Sequence, residues 1–121
     1  MRHPQYSETL LDHFHHPRGA GEVRPADAEA VVSSPIHGDA LRLTFAIEAG
    51  RLTTVRFQCR GCVVAIAAGS AATILLEGRT TAEALALTDD DVIRALGGVP
   101  EGRRECSVLV ARTVHQALSG L

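Results

Sequence analysis

Between Leu41 and Leu75 the spacing of apolar residues changes period once, and the change falls on Arg60-Gly61. Before it, Leu41, Leu43, Phe45 and Ile47 alternate with Arg42, Thr44, Ala46 and Glu48, the period-2 pattern of a strand with one buried and one solvated face. Ala49-Gly50 supplies a tight turn. A second strand then runs from Leu52 to Cys59, with Val55 and Phe57 on one face and Thr54, Arg56 and Gln58 on the other. From Cys62 onward, Val63, Val64, Ile66, Ala67, Ala71, Ile74 and Leu75 cover most of a helix surface, and Gly78 stands where that helix ends. These residues predict an antiparallel hairpin that feeds directly into a central buried helix.

The flanking signals are shorter. Tyr6, Leu10 and Phe14, with Leu11 beside them, form the stripe of an amphipathic helix that stops before Pro17. Gly19, Gly21 and Pro25 break regular structure, and Ala28 to Ser33 is a short strand candidate. Thr80 to Glu83 has capping-box spacing, and Thr88-Asp89-Asp90-Asp91 starts another short helix that Gly97-Gly98 closes; both are expected on the rim. Arg104 to Leu118 is a second long helix, with Val108, Leu109, Val114 and Leu118 near one face. The order predicts an α+β fold, one domain over 1–121, whose sheet is covered on one face by helices.

Composition narrows function by exclusion. The twelve basic residues are all arginine and face fourteen acidic ones, for a formal charge of −2, which argues against a primary binder of nucleic acid or anionic membrane. Without lysine there is no Schiff-base lysine and no phosphate-loop lysine. With 45% hydrophobic residues, a chain of 121 can bury roughly two-thirds of its unfolded surface. The first residues carry no apolar run of signal-peptide length, and Val63 to Leu76 is too short to cross a bilayer, so a cytoplasmic location is the expectation.

Three cysteines in a reducing compartment point to metal, sulfur or redox chemistry over a disulfide framework. Cys62 falls at the start of the buried helix, where the dipole and free backbone N–H groups favour thiolate; a small buried apolar side chain fits the position equally. Cys59 forms a C-x-x-C with it, a spacing found in zinc knuckles and redox pairs, but continues the strand alternation and reads as core-facing. Cys106 opens the last helix beside Arg103 and Arg104, whose charge could stabilise a thiolate; core packing is its other reading. In the turn Ser34-Pro35-Ile36-His37-Gly38-Asp39, His37 and Asp39 are potential metal ligands two positions apart, or solvated polar residues. His13, His15 and His16 crowd the end of the first helix, where imidazolium suits the dipole.

Tyr6-Ser7-Glu8, Asp12-His13-Phe14, Pro17-Arg18, Pro35-x-x-Gly38-Asp39, Phe57-x-x-x-Gly61-Cys62 and Cys106-Ser107 occur in the order that resembles the U-type iron–sulfur cluster assembly scaffolds, the IscU, SufU and NifU N-terminal family. The resemblance covers nearly the whole chain. It implies a small antiparallel sheet of about three strands, with three cysteines and an aspartate converging at one exposed end. The matching positions here are His37, Asp39, Cys62 and Cys106, so a histidine stands where the family has its first cysteine. Glu105 replaces a histidine of one branch, Val99 to Arg103 replaces that branch's chaperone motif, and the long insertion of the zinc-binding SufU-like branch is absent between Cys62 and Cys106.

What the resemblance implies is a scaffold or carrier in which these four residues hold a transient iron–sulfur cluster, of the [2Fe–2S] kind, for transfer to apo-proteins. A cysteine desulfurase would deliver sulfur as persulfide to Cys106, and an iron donor protein is a further implied partner. Two thiolates, an imidazole and a carboxylate carry a formal charge of about −3, against about −4 for the family's set, which should raise the cluster's potential. The same donors would make a tetrahedral zinc site for SufU-type sulfur transfer, and a third reading is an interaction module that has lost cluster chemistry.

Overall fold

The computed structural model describes residues 6–35 and 38–121. Among them the chain runs α1 (Glu8–His15), β1 (Ala28–Ser33), β2 (Ala40–Glu48), β3 (Arg51–Arg60), α2 (Val63–Leu76), α3 (Thr81–Leu85), α4 (Asp89–Ala95) and α5 (Glu105–Leu118). The strands form one antiparallel sheet in the order β1-β2-β3. Val32, Leu41 and Cys59 line up across it on the inward face, as do Ala30, Leu43 and Phe57. Helix α2 packs on β3 and α5 on β1 and β2, so the α+β sheet with helices on one face stands as expected.

Two local devices hold the hairpin in register. Ala49 (φ 53°) and Gly50 (φ 78°) both adopt positive φ in the two-residue turn, the conformation whose twist suits a β-hairpin. Leu52 and Val55 are both fully buried, an odd spacing that simple alternation forbids. A register shift next to Ala46 and Ile47 leaves Thr53 without a partner, and its hydroxyl donates to the Ala46 carbonyl at 3.1 Å. That bulge turns Leu52 back toward the core.

The second sheet face departs from the expected solvated pattern at Thr44, which is 1% exposed. The segment from Gly19 to Asp27 explains it. Gly19 and Gly21 bond the Phe57 backbone at the outer edge of β3, Val23 N–H donates to the Thr44 hydroxyl at 2.8 Å, and Asp27 N–H reaches the Phe45 carbonyl. Arg42 on the same face pairs with Glu22 at 2.8 Å and Glu29 at 2.7 Å.

Helix α2 is built from small residues because two elements close on it. An added Cβ at Gly69 would sit 2.5 Å from Phe57 Cδ2 of β3. On the other side, the Ser70 hydroxyl accepts from Arg18 N–H at 2.8 Å and shares a 2.7 Å hydrogen bond with His13 Nδ1. His13 is buried, and desolvation, reinforced by the Arg18 charge and opposed by Asp12, lowers its pKa. It is therefore a neutral packing residue, a correction to the dipole-stabilised imidazolium expected from its place at the end of α1.

Helices α3 and α4 carry the capping boxes their sequences announce, Thr80 with Glu83 and Thr88 with Asp91. They are more than rim elements, since Ala84, Val92 and Leu96 are fully buried within the same core cluster as Leu43, Phe45 and Val110. The Ser7 hydroxyl donates to the Leu96 carbonyl and also caps α1, accepting from Leu10 N–H at 2.9 Å, which ties the first helix to the loop after α4. Among the described residues no helix is long and apolar enough to cross a membrane.

Candidate metal centre

Three segments far apart in sequence meet beyond the Arg60 end of β3. The first is the turn before β2, closed by Ser34 N–H to the Asp39 carbonyl at 2.7 Å and by Gly38 N–H to the Ser34 carbonyl at 2.9 Å. Gly38, at φ 72°, supplies the left-handed conformation that points the chain back into the sheet. These bonds fix the backbone of Asp39, whose side chain is 2% exposed.

The second segment is the strand-to-helix switch. Cys62 is the N-cap of α2, but its sulfur makes no capping hydrogen bond. Its own N–H donates instead to Asp39 Oδ1 at 3.2 Å, so the carboxylate, and not the thiol, takes up a free backbone donor at this turn. Gly61 makes that approach possible, because an added Cβ would lie 2.8 Å from Asp39 Cγ. The third segment is the first turn of α5, which presents Cys106, 2% exposed.

The donor atoms of Asp39, Cys62 and Cys106 all lie within 4.8 Å of one another. Cys62 Sγ and Cys106 Sγ are 3.8 Å apart, and Asp39 Oδ2 is 3.9 Å from the first and 3.7 Å from the second. A tetrahedral ion with metal–sulfur bonds of about 2.3 Å requires sulfurs roughly 3.8 Å apart, so the spacing fits shared coordination. The trio is recessed: Asp39 and Cys106 are buried and Cys62 is partly exposed. Burial first, then the charge and hydrogen bond of Cys62 and the charge of Asp39, push the Cys106 thiol well above the ordinary range.

Of the expected donors, Asp39, Cys62 and Cys106 come together, while His37 lies outside the described residues. Cys59 stands outside the trio, paired with Leu41 across the strands and packed against the core. Burial, then the Asp39 and Cys62 charges, push its thiol up to about 12. The paired arginines divide differently from expectation. Arg103 Nη1 is 3.8 Å from Cys62 Sγ, whereas Arg104 turns to Asp89 at 2.9 Å and Asp90 at 2.5 Å. Gly61 is marked in the sequence as the point of the period change and as part of a family motif, but nothing in its spacing shows that the Asp39 carboxylate needs its vacant side-chain position.

A three-stranded antiparallel sheet that gathers an aspartate and two cysteines from separate turns defines a small α+β protein with a sulfur-rich donor site. Residues 5–120 match the NifU-like N terminal domain, and the chain belongs to that family. It is 38% identical over 113 residues to the iron-sulfur cluster assembly scaffold protein IscU 1 of Archaeoglobus fulgidus, covering 93% of this chain and 74% of the relative. It is 35% identical over 116 residues to the IscU scaffold of Aquifex aeolicus, covering 94% and 74%. Against the nitrogen fixation protein NifU of Cereibacter sphaeroides the identity is 41% over 109 residues, 90% of this chain but 44% of that longer one. A solved NifU-like N-terminal structure from Brucella abortus shares the fold, with a TM-score of 0.64 at 20% identity over 93% of this chain and 78% of that one.

Proposed function

We propose that this chain is an iron–sulfur cluster assembly scaffold that builds a transient cluster at Asp39, Cys62 and Cys106 and passes it to apo-proteins. The convergence of two soft sulfur donors and one carboxylate within 4.8 Å carries this reading. Thiolates select iron–sulfur clusters and zinc, and the harder carboxylate is the donor an acceptor's cysteine can displace. A cargo held partly by oxygen suits delivery better than permanent storage.

His37 is proposed as the fourth donor, in place of a thiolate, which would make the shell less negative and the cluster easier to reduce. A cysteine desulfurase is the proposed sulfur source, Cys106 the residue that finally holds the delivered sulfur, and an iron donor a further partner. The chain would act as one unit over 1–121 in the cytoplasm.

The test is anaerobic assembly with ferrous iron, cysteine and a cysteine desulfurase, followed by addition of an apo-ferredoxin. Wild type should develop the visible absorption of a cluster and lose it as the ferredoxin gains its own. Cys62→Ser and Cys106→Ser should hold far less. A colourless protein that binds one zinc and transfers nothing would contradict the proposal and favour a zinc-dependent sulfur carrier.

A further inference from the structure

The centre has one cation beside it, and that cation is placed unevenly. Among the described residues Arg103 is the only cation within hydrogen-bonding reach of either sulfur, and it meets Cys62 alone, Nη1 to Sγ at 3.8 Å. The partners of Cys106 Sγ are Cys62 Sγ at 3.8 Å and Asp39 Oδ2 at 3.7 Å, neither of them cationic. Backbone bonds hold Arg103 in place. Gly102 turns the chain at φ 84°, Arg103 N–H donates to the Pro100 carbonyl at 3.0 Å, and the Arg103 carbonyl accepts from Cys106 N–H at 3.2 Å in the first turn of α5. One residue thus contacts the sulfur of one cysteine and the backbone of the other. Its neighbour Arg104 pairs with Asp89 and Asp90, whereas Arg103 has no carboxylate within ion-pair distance among the described residues, which leaves its charge to the centre.

We infer that Arg103 is a positioning residue that makes Cys62 the exchangeable sulfur of the centre: its guanidinium donates to the Cys62 sulfur while a metal is held, and takes up the negative charge of that sulfur as an acceptor draws the metal away. The inference rests on the reading of the trio as a metal-holding centre and adds the order in which its sulfurs release. A hydrogen bond from a cation draws electron density out of a thiolate, which weakens its donation to a metal and raises the potential of an attached cluster. Cys106, with no such donor, keeps the stronger bond. When a metal–sulfur bond breaks, both electrons stay on the sulfur and the metal accepts a donor atom of the incoming group, so no oxidant or reductant is consumed. The sulfur gains negative charge along that path, and a cation 3.8 Å away at a partly buried site lowers the barrier. After the Asp39 carboxylate, Cys62 is therefore the next donor to give way, and Cys106 holds the cargo last.

The contact runs through one guanidinium nitrogen. A single charged donor suffices for it, so lysine can serve there and glutamine, which is neutral, cannot.

The experiment loads the 121-residue chain with cobalt(II) under argon, with no iron or sulfide. It reads two quantities, the sulfur-to-cobalt charge-transfer absorption and the rate at which EDTA removes the metal. In Arg103→Gln the absorption should move to longer wavelength, because a sulfur relieved of the hydrogen bond gives up its electrons more easily, and removal by EDTA should slow by roughly tenfold. Arg103→Met should do the same, so the outcome does not hang on the folding of one variant, and Arg103→Lys should restore both quantities toward wild type. Arg104→Gln, which removes the same charge from a side chain turned to Asp89 and Asp90, should change neither. Wild-type absorption and rate in the Gln and Met variants would overturn the inference, as would Arg103→Lys or Arg104→Gln altered as much as Arg103→Gln. A wild type with no sulfur-to-cobalt absorption would overturn it together with the centre it rests on. Cobalt requires no sulfide, so the expected shift in a chain that assembles no cluster would sink the scaffold proposal alone, and its absence in a chain that builds and delivers clusters would sink the role of Arg103 alone.

Discussion

Asp39 owes its position to a residue with no side chain. Gly61 leaves the space through which the carboxylate reaches Cys62 N–H, and a methyl group there collides with Asp39 Cγ and Oδ1. Gly61→Ala should cost about 1–3 kcal/mol in urea unfolding, the usual range for overpacking, and should weaken metal uptake in an anaerobic titration more than it changes the circular dichroism spectrum. His13 offers a second test, one of pH. Its pKa is lowered below 6.5 in the folded chain, so the unfolded state binds the proton more readily. The stability His13 contributes is fully present above the unfolded value and is lost as pH falls through it toward the lower folded value. Stability by urea titration should drop from pH 7.5 to 5.5, and His13→Asn, which has no titrating ring, should drop less. Residue type marked Cys62, Cys106 and Asp39 as potential donors, the family resemblance grouped them, and the structure brings the three within 4.8 Å of one another. Sequence pattern missed the roles of Gly61 and His13 because a vacancy and a buried hydrogen bond exist only between segments.

At the scale of elements, the strands and long helices were legible because each has a period of its own. The switch at Arg60-Gly61 marks where β3 hands over to α2, and the capping residues Thr80 and Thr88 mark the short helices. What could not be read was any feature that depends on a neighbour: the bulge at Thr53, the cover over Thr44, and the burial of α3 and α4. The turn contains a local conflict that the fold tolerates. Ala49 holds a positive φ that costs an L-residue with a Cβ about 1–2 kcal/mol, so Ala49→Gly should stabilise the chain by up to about 1 kcal/mol without touching the site. Thermal unfolding would register this, and an unchanged or lower midpoint would show that the turn is not under such strain.

For the molecule as a whole, the centre joins the turn before β2, the β3–α2 switch and the first turn of α5, so a metal held there ties distant parts of one core together. A metal that binds only the folded state stabilises it by mass action, about 2.7 kcal/mol at a hundred times Kd, or roughly 10 °C in a domain of this size. Zinc or ferrous iron should therefore raise the unfolding midpoint of wild type and leave Cys106→Ser nearly unmoved. The family was legible from the order of its motifs, yet the depth of the site was not. Convergence was expected at an exposed end, whereas burial of Asp39 and Cys106 leaves Cys62 as the open face.

The claim on which function depends is that this recessed trio handles iron together with sulfide. Purification without oxygen after assembly, followed by chemical analysis of iron, acid-labile sulfide and zinc per chain, measures it directly. Iron and sulfide in equal amounts, both lost in Cys62→Ser, are the predicted result; zinc without sulfide, or iron whose content ignores Cys62, would contradict it.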